Sequence, residues 1–264
     1  MSKRIAVLVS GGGTNLQALI DAQSRGELGG GEIVAVISSK AGAYALERAK
    51  NAGIEGFVLP RKEFASNQAM TVALVDLLKK LDIDLVVLAG CMIIFTQELV
   101  DAYPNAIMNV HPALIPSFCG QGYYGLRVHE EALRYGVKLS GATVHFVSAE
   151  CDGGPIIAQK AVDVRHDDTP EVLQKRIMEQ AEWILLPEAV KLFCEDRITV
   201  DGRDFPFATT AVTLLGKNKL NLYADNEILQ LKGDKRFNAL KYVNFFHKYK
   251  NRKSGDTNGK FLGL

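Results

Sequence analysis

A chain of 264 residues with 47% apolar content has enough core-forming material for one large domain, or one domain with an appendage. The opening Met-Ser-Lys-Arg runs straight into Ile5-Ala6-Val7-Leu8-Val9, too short for a membrane span and without a cleavage pattern. The cysteines at 91, 119, 151 and 194 form no Cys-x-x-Cys pair, which argues against a zinc site or a disulfide framework and for a reducing cytoplasm. The formal charge of +1 hides an asymmetry: residues 206–264 hold eleven Lys or Arg against four acids, leaving the first 205 residues at −6.

Arg4 to Ser10 reads as a buried strand, followed by Gly11-Gly12-Gly13-Thr14-Asn15 and then by Leu16, Leu19 and Ile20 at helical spacing. A strand, a glycine turn and a helix start offer backbone N–H groups and a helix dipole to an anion, with phosphate the obvious guest. The loop is not a dinucleotide fingerprint, since position 16 is Leu, and it lacks the Gly-Lys ending of a triphosphate loop, so a plain strand-to-helix turn is the alternative. Glu32 to Ser38 reads as a second strand, Tyr44 to Asn51 as a helix stopped by Gly53, and Gly56 to Leu59 as a third strand. An amphipathic helix over Ala65 to Leu81 and a doubly buried strand over Leu85 to Ala89 come next. This alternation predicts a Rossmann-like, mostly parallel twisted sheet with helices on both faces.

Past that strand, Met92, Ile93, Ile94 and Phe95 place bulky apolar side chains at a strand's carboxyl end, either as a wall for an apolar ligand or as a helix staple. Thr96 is placed to cap a helix reaching Tyr103. Ala106 to Val110 is a short apolar run that stops at His111-Pro112, so Asn109 and His111 belong at the carboxyl end of a buried strand, where open α/β sheets bind ligands. Pro116 to Gly125, with its glycines and aromatics, reads as a loop able to cover a ligand, and Leu126 to Tyr135 as helix. Gly141 to Val147 and Pro155 to Val164 read as two strands facing each other across the Cys151-Asp152-Gly153-Gly154 turn. Thr169-Pro170-Glu171 opens a long helix to about Cys194, and Ile198 to Val200 is a last short strand.

Asn109, His111 and Asp152 together supply what an acyl transfer requires: a donor for a developing oxyanion, a group titrating near neutrality and an acid that orients it. Taken singly, a histidine after a strand is an ordinary structural hydrogen-bonder and Asp-Gly-Gly is an ordinary turn.

Beyond Pro206 the composition changes. Val212 to Tyr223 reads as a small hairpin, Glu227 to Leu231 as a further strand, Lys235 to Lys250 as a helix and the last dozen residues as disordered. We therefore expect a domain over 1–205 and a small, basic α+β extension over 206–264. Its basic aromatic helix admits nucleic acid as a partner, but aromatics at helical spacing usually pack and lysines usually solvate.

The ordered motifs Gly-Gly-Thr-Asn, Leu-Ala-Gly-x-Met, Asn-Val-His-Pro-Ala-Leu-Ile-Pro, Gly-Ala-Thr-Val-His-Phe-Val and Cys-Asp-Gly-Gly-Pro-Ile resemble the folate-dependent phosphoribosylglycinamide formyltransferases of purine synthesis, over about residues 3–203. The resemblance implies a formyl group passed from 10-formyltetrahydrofolate, as co-substrate, to the amine of N1-(5-phospho-D-ribosyl)glycinamide, without a metal. It implies Asn109, His111 and Asp152 as catalytic amide, proton donor and pKa-raising carboxylate, and Gly13, Thr14 and Asn15 as the ribose-phosphate loop. Glu179 and Glu182 match a substrate-contacting turn; Met92, Ile93, Ile94, Phe95, Asn109, Ser148, Ala149, Glu150, Cys151 and Asp152 match folate-lining positions. Thr143 and His145 stand beside the site as support.

Three departures accompany the resemblance. Ile93 replaces an arginine frequent in the family, Asn67 stands where a basic folate contact is expected, with Arg61 or Lys62 as substitutes, and the tail has no counterpart. Hydrolysis of the same folate by a deformylase with the same Asn-His-Asp arrangement is the alternative enzyme reading. A non-catalytic phosphate-ligand or nucleic-acid module is the alternative from another class, and Cys119 or Cys151 as a nucleophile is a third possibility.

Overall fold

Short strands that are apolar on both faces, each followed by a helix, bury themselves by winding parallel strands between two helical layers. The computed structural model, which describes residues 2–201 and 211–214, has this arrangement, and all of these residues fall within one compact unit. In chain order the elements are β1 (Lys3–Val9), α1 (Thr14–Ser24), β2 (Gly31–Ser38), α2 (Tyr44–Asn51), β3 (Glu55–Val58), α3 (Asn67–Lys80), β4 (Leu85–Leu88), α4 (Gln97–Ala102), β5 (Ile107–His111), α5 (Arg127–Tyr135), β6 (Leu139–Phe146) and β7 (Ile156–Asp163). There follow α6 (Pro170–Ile177), a π-helical turn (Met178–Glu182), α7 (Trp183–Cys194), β8 (Ile198–Asp201) and β9 (Ala211–Leu214).

The main sheet has seven strands in the order β3-β2-β1-β4-β5-β6-β7, parallel through β5, with β6 and β7 antiparallel at one end. The period of two along β1 divides the core. Ile5, Val7 and Val9 meet Leu16 and Leu19 of α1 and Leu185 and Val190 of α7 on one face. Ala6 and Leu8 meet Leu74 and Leu78 of α3 and Leu99 of α4 on the other. Leu16, Leu19, Leu78 and Leu186 are fully buried, and each such side chain contributes about 1.5–3 kcal/mol relative to exposure.

Three local results differ from the sequence reading. Helix α3 starts at Asn67 rather than Ala65, because the Ser66 hydroxyl caps it by accepting from the Ala69 N–H at 3.0 Å. Thr96 stands at the N-cap of α4 in an extended conformation, but its side chain makes no cap bond. The long helix toward Cys194 is interrupted by the π turn, just before Trp183. Pro187 has no N–H to offer the Trp183 carbonyl, so the α-helical ladder already lacks a rung beside the wide turn.

The run containing Val212 contributes β9, which pairs antiparallel with β8, Ile198 opposite Leu214. The expected strand over Glu227 to Leu231, the helix over Lys235 to Lys250, the far side of the hairpin and the disordered end lie outside the described residues. Among the described residues no helix is long and apolar enough to cross a membrane.

Candidate active site

Strand β1 has β2 on one side and β4 on the other, so the crevice at this reversal of strand order lies where the chain leaves β1 and β4. The two exits are tied together: Ser10 Oγ accepts from the Met92 N–H at 2.9 Å and lies 3.0 Å from Ser39 Oγ.

The glycine loop is shaped by α2. The Gly11 carbonyl accepts from the Ala45 N–H at 3.2 Å, and the Gly12 carbonyl accepts from Arg48 Nε at 2.8 Å. In a trans peptide the N–H points opposite the C=O, so the amides of Gly12 and Gly13 turn away from α2, beside the free N–H groups at the start of α1. Gly13 caps that helix at φ 71°, and a Cβ there would lie 2.7 Å from Ala45 Cβ; only glycine fits both demands. This is the backbone geometry that an anion cradle requires.

Beneath it, Asn15 Nδ2 donates to Glu182 Oε2 at 2.6 Å, with both residues buried and Asn15 Oδ1 unpartnered. Burial pushes the Glu182 carboxyl up to about 7, against a smaller opposing effect of the Asn15 bond. Thr14 Oγ1 lies 3.8 Å from Met178 Sδ. Glu179 goes elsewhere: its side chain, 45% exposed, faces Lys175 at 3.8 Å, so the turn brings Glu182 but not Glu179 to Asn15.

The apolar stretch after β4 divides between the two expected readings. Phe95 packs against the α3 side of the core and lines a small cleft with Ile93 and Leu74, as a staple would. Met92 and Ile94, 58% and 64% exposed, are left uncovered by the rest of the chain, as a ligand wall would be. Arg61 Nε donates to Asn67 Oδ1, and Arg61 Nη1 donates to the Phe64 carbonyl at 2.8 Å, which holds a guanidinium against position 67.

His111 and Asp152 meet, and Asn109 joins them by way of His145. His111 Nδ1 lies 3.6 Å from Asp152 Oδ2, an ion-pair distance rather than a hydrogen bond, while its Nε2 is 2.8 Å from the Phe118 carbonyl. A carbonyl accepts only, so Nε2 carries a proton and Nδ1 is the position that titrates. Asp152 sits at φ 55° in a turn closed by the Gly153 N–H to the Glu150 carbonyl at 3.1 Å, and its Oδ2 accepts from the Gly120 N–H at 2.8 Å. Ser148 Oγ bonds the Glu150 carbonyl in the same loop at 3.2 Å. Ala149, Glu150 and Cys151 are exposed.

His145 does more than support. It stands opposite Asn109 in the β5–β6 ladder, with Nε2 at 3.1 Å from Asn109 Nδ2 and 3.7 Å from Asp152 Oδ1. Reading sequence alone also left out Phe118 and Gly120, which act through backbone atoms and carry no side-chain signal. Gln159 on β7 likewise stands outside every motif that marks the site.

The electrostatics correct one expectation. Asp152 does favour the charged His111 ring, but burial outweighs it and the His111 pKa falls below its ordinary value. For Asp152, burial pushes upward, yet the His145 ring at 3.7 Å, the Gly120 hydrogen bond and the nearby His111 ring together hold the carboxyl below the usual range. Burial, then the Asp152 charge, pushes the Cys119 and Cys151 thiols up, so neither is an activated nucleophile.

Comparison with known proteins places these residues in a known setting. The chain is 41% identical over 197 residues to a chloroplastic phosphoribosylglycinamide formyltransferase of Arabidopsis thaliana, covering 74% of this chain and 67% of that one. It is 41% identical over 211 residues to the phosphoribosylglycinamide formyltransferase of Haemophilus influenzae, covering 77% and 96%. The crystal structure of glycinamide ribonucleotide transformylase 1 from Symbiobacterium toebii superimposes with a TM-score of 0.74 at 42% identity, covering 81% of this chain and 95% of that one. Residues 3–190, which hold the glycine loop, the apolar wall and the Asn109, His111 and Asp152 cluster, match the formyl transferase family model, and the chain belongs to that family.

Proposed function

We propose that this enzyme transfers the formyl group of 10-formyltetrahydrofolate to the amine of N1-(5-phospho-D-ribosyl)glycinamide, a step of de novo purine synthesis. The observation that carries this reading is the meeting of Asn109, His111 and Asp152 on the same sheet edge as the glycine cradle. β1 and β5 are separated by β4 alone, which is two strand spacings or about 10 Å. That span suits a substrate with a phosphate at one end and an amine at the other.

Gly13, Thr14 and Asn15 take the phosphate, and the buried Glu182 carboxyl faces the polar middle of the substrate beside Asn15. Met92 and Ile94, with the Ser148–Asp152 loop, line the reduced folate. Ile93 cannot supply a cation there, so the carboxylates of the folate tail fall to Arg61, held against Asn67.

The amine forms a bond to the formyl carbon as the carbonyl π pair moves onto oxygen. One Asn109 Nδ2 hydrogen is engaged by His145, leaving the second for the developing oxyanion. His111 turns Nδ1 to the same place, since Nε2 is committed to Phe118. A ring that takes up a proton from water on Nδ1 as the oxyanion forms, and releases it when the oxyanion collapses, places a second donor on the oxygen. The depressed pKa of Asp152 keeps it ionised at neutral pH, opposite Nδ1, where it favours that charged ring as the oxyanion forms. As the oxyanion collapses to a carbonyl, the bond between the formyl carbon and the folate nitrogen breaks, and the proton lost by the attacking nitrogen passes through Asp152 or a water to that departing nitrogen. Asp152 and His111 thus end the cycle as they began it.

The test is purified protein with both substrates, followed for formylated product. Formate released without the glycinamide would assign the site to hydrolysis instead.

A further inference from the structure

The segment that leaves β5 after His111 brings the Phe118 carbonyl back to that ring at 2.8 Å. Such a loop has no ladder partner, so its backbone groups depend on side chains. Three of them converge on strands β6 and β7. Thr143 Oγ1 donates to the Ala113 carbonyl at 2.7 Å and accepts from the Ile115 N–H at 3.1 Å. Gln159 Nε2 donates both to Thr143 Oγ1 and to the Ile115 carbonyl, each at 2.9 Å. A hydroxyl has one hydrogen and two acceptor positions, so Thr143 is saturated, and both amide hydrogens of Gln159 are used. His111, Thr143 and Gln159 form one row across β5, β6 and β7, with Thr143 fully buried and Gln159 partly buried.

We infer that Gln159 is a positioning residue for formyl transfer, fixing through Thr143 and the Ile115 carbonyl the loop whose Phe118 carbonyl sets the rotation and tautomer of His111. The inference rests on the reading of His111 as a catalytic group. Gln159 belongs to a strand that contributes no side chain to that chemistry; it acts at two removes, through backbone atoms. The other groups facing His111 are Asp152 from the β6–β7 loop, His145 from β6 and His129 from α5. None of them bonds to Gln159 in the contacts described above, so a change at position 159 reaches the ring by way of Phe118.

Gln159→Met keeps the length of the side chain and removes both donors. Expected results are a kcat lowered by up to about 10²-fold, the scale of a misplacement near 1 Å, with little change in KM for the phosphorylated substrate. The His111 inflection should move to lower pH, because the Phe118 carbonyl favours the protonated ring. That inflection is also followed by NMR titration of the His111 ring, which needs no turnover. If the wild-type protein forms no product, the proposed function fails, while the ring titration still decides the role of Gln159. A double-variant cycle with Thr143→Val should give a combined loss smaller than the product of the single losses. Near-native kcat with an unmoved inflection overturns the inference. So does a kcat loss that follows the folded fraction, measured by thermal melting, while the ring titrates as in wild type.

Discussion

Asn109 and His145 are cross-strand partners whose side chains meet, Nδ2 to Nε2, at 3.1 Å. The ring's Nδ1 faces the Phe146 carbonyl at 2.8 Å and must donate to it, so in the neutral ring Nε2 accepts. This network assigns the Asn109 amide with its NH2 group toward His145 and leaves a second N–H for an oxyanion. In His145→Phe the amide loses that anchor and can present its oxygen where negative charge develops. The expected loss in kcat is on the order of 10²- to 10³-fold, the scale of removing one oxyanion donor, with KM less affected. Steady-state kinetics on a variant that melts as wild type does would check it; full turnover would remove His145 from the argument.

The same physics predicts where stability depends on pH. His129 lies on α5 fully buried with neither ring nitrogen hydrogen-bonded, and burial, followed by the nearby His111, pushes its pKa from 6.5 to about 4. The unfolded chain therefore binds a proton at a pH where the folded chain does not, and stability falls as pH drops from 6.5 toward 4. His111, also depressed by burial, adds a contribution of the same sign below 6.5. Replacing His129 by Leu removes unsatisfied nitrogens worth about 1–3 kcal/mol. The variant should be more stable at neutral pH and show a flatter acid-side decline, by denaturant unfolding across that range. An unchanged pH slope would contradict the assignment.

Glu182 predicts the opposite slope. Its carboxyl is raised from 4.5 to about 7, so as pH climbs through that window the unfolded chain releases a proton that the folded chain retains, and stability declines. The shift corresponds to something on the order of 3 kcal/mol. Glu182→Gln keeps the shape and the acceptor for Asn15, and should be more stable than wild type at pH 8 by about that amount while matching it near pH 4. If Glu182 also faces the substrate, KM for the phosphorylated glycinamide rises in the same variant. Stability gained together with binding lost would identify a group kept at a functional site against the interest of the fold.

Much of this arrangement was legible because period and punctuation are local. The alternation of short apolar strands with helices, the glycines at 11–13 and the His111-Pro112 stop place the parallel sheet, the cradle and the end of β5. The pairing of β6 with β7 across the Asp152 turn follows from two facing apolar runs. What stayed hidden depends on partners distant in sequence or on backbone atoms. The Phe118 carbonyl and the Gly120 amide carry no side-chain signature, and the pairing of His145 with Asn109 needs the β5–β6 register. The π turn that brings Glu182 inward while Glu179 faces Lys175 cannot be seen in an α-helical period. The downward shift of His111 is not legible in sequence, because its charge partner is visible there and the extent of its burial is not.

Gly13 carries the last prediction, because two separable physical demands coincide there. Its φ of 71° costs a residue with a Cβ about 1–2 kcal/mol, and that Cβ would lie 2.7 Å from Ala45 Cβ and 3.0 Å from Ala45 Cα. In Gly13→Ala the second demand pushes α2 outward and, with it, the Ala45 N–H and Arg48 side chain that orient the Gly11 and Gly12 carbonyls. The cradle loses its shape, so KM for the phosphorylated substrate and the inhibition constant for inorganic phosphate should both rise, with kcat at saturation less affected. The protein should also lose about 1–3 kcal/mol to overpacking beyond the backbone cost. Adding Ala45→Gly removes the facing methyl but leaves the left-handed backbone. The double variant should recover most of the phosphate affinity and only part of the stability. Recovery of neither would show that strain at Gly13, rather than contact with α2, governs the cradle, and full recovery of stability would show that the left-handed backbone costs the alanine little.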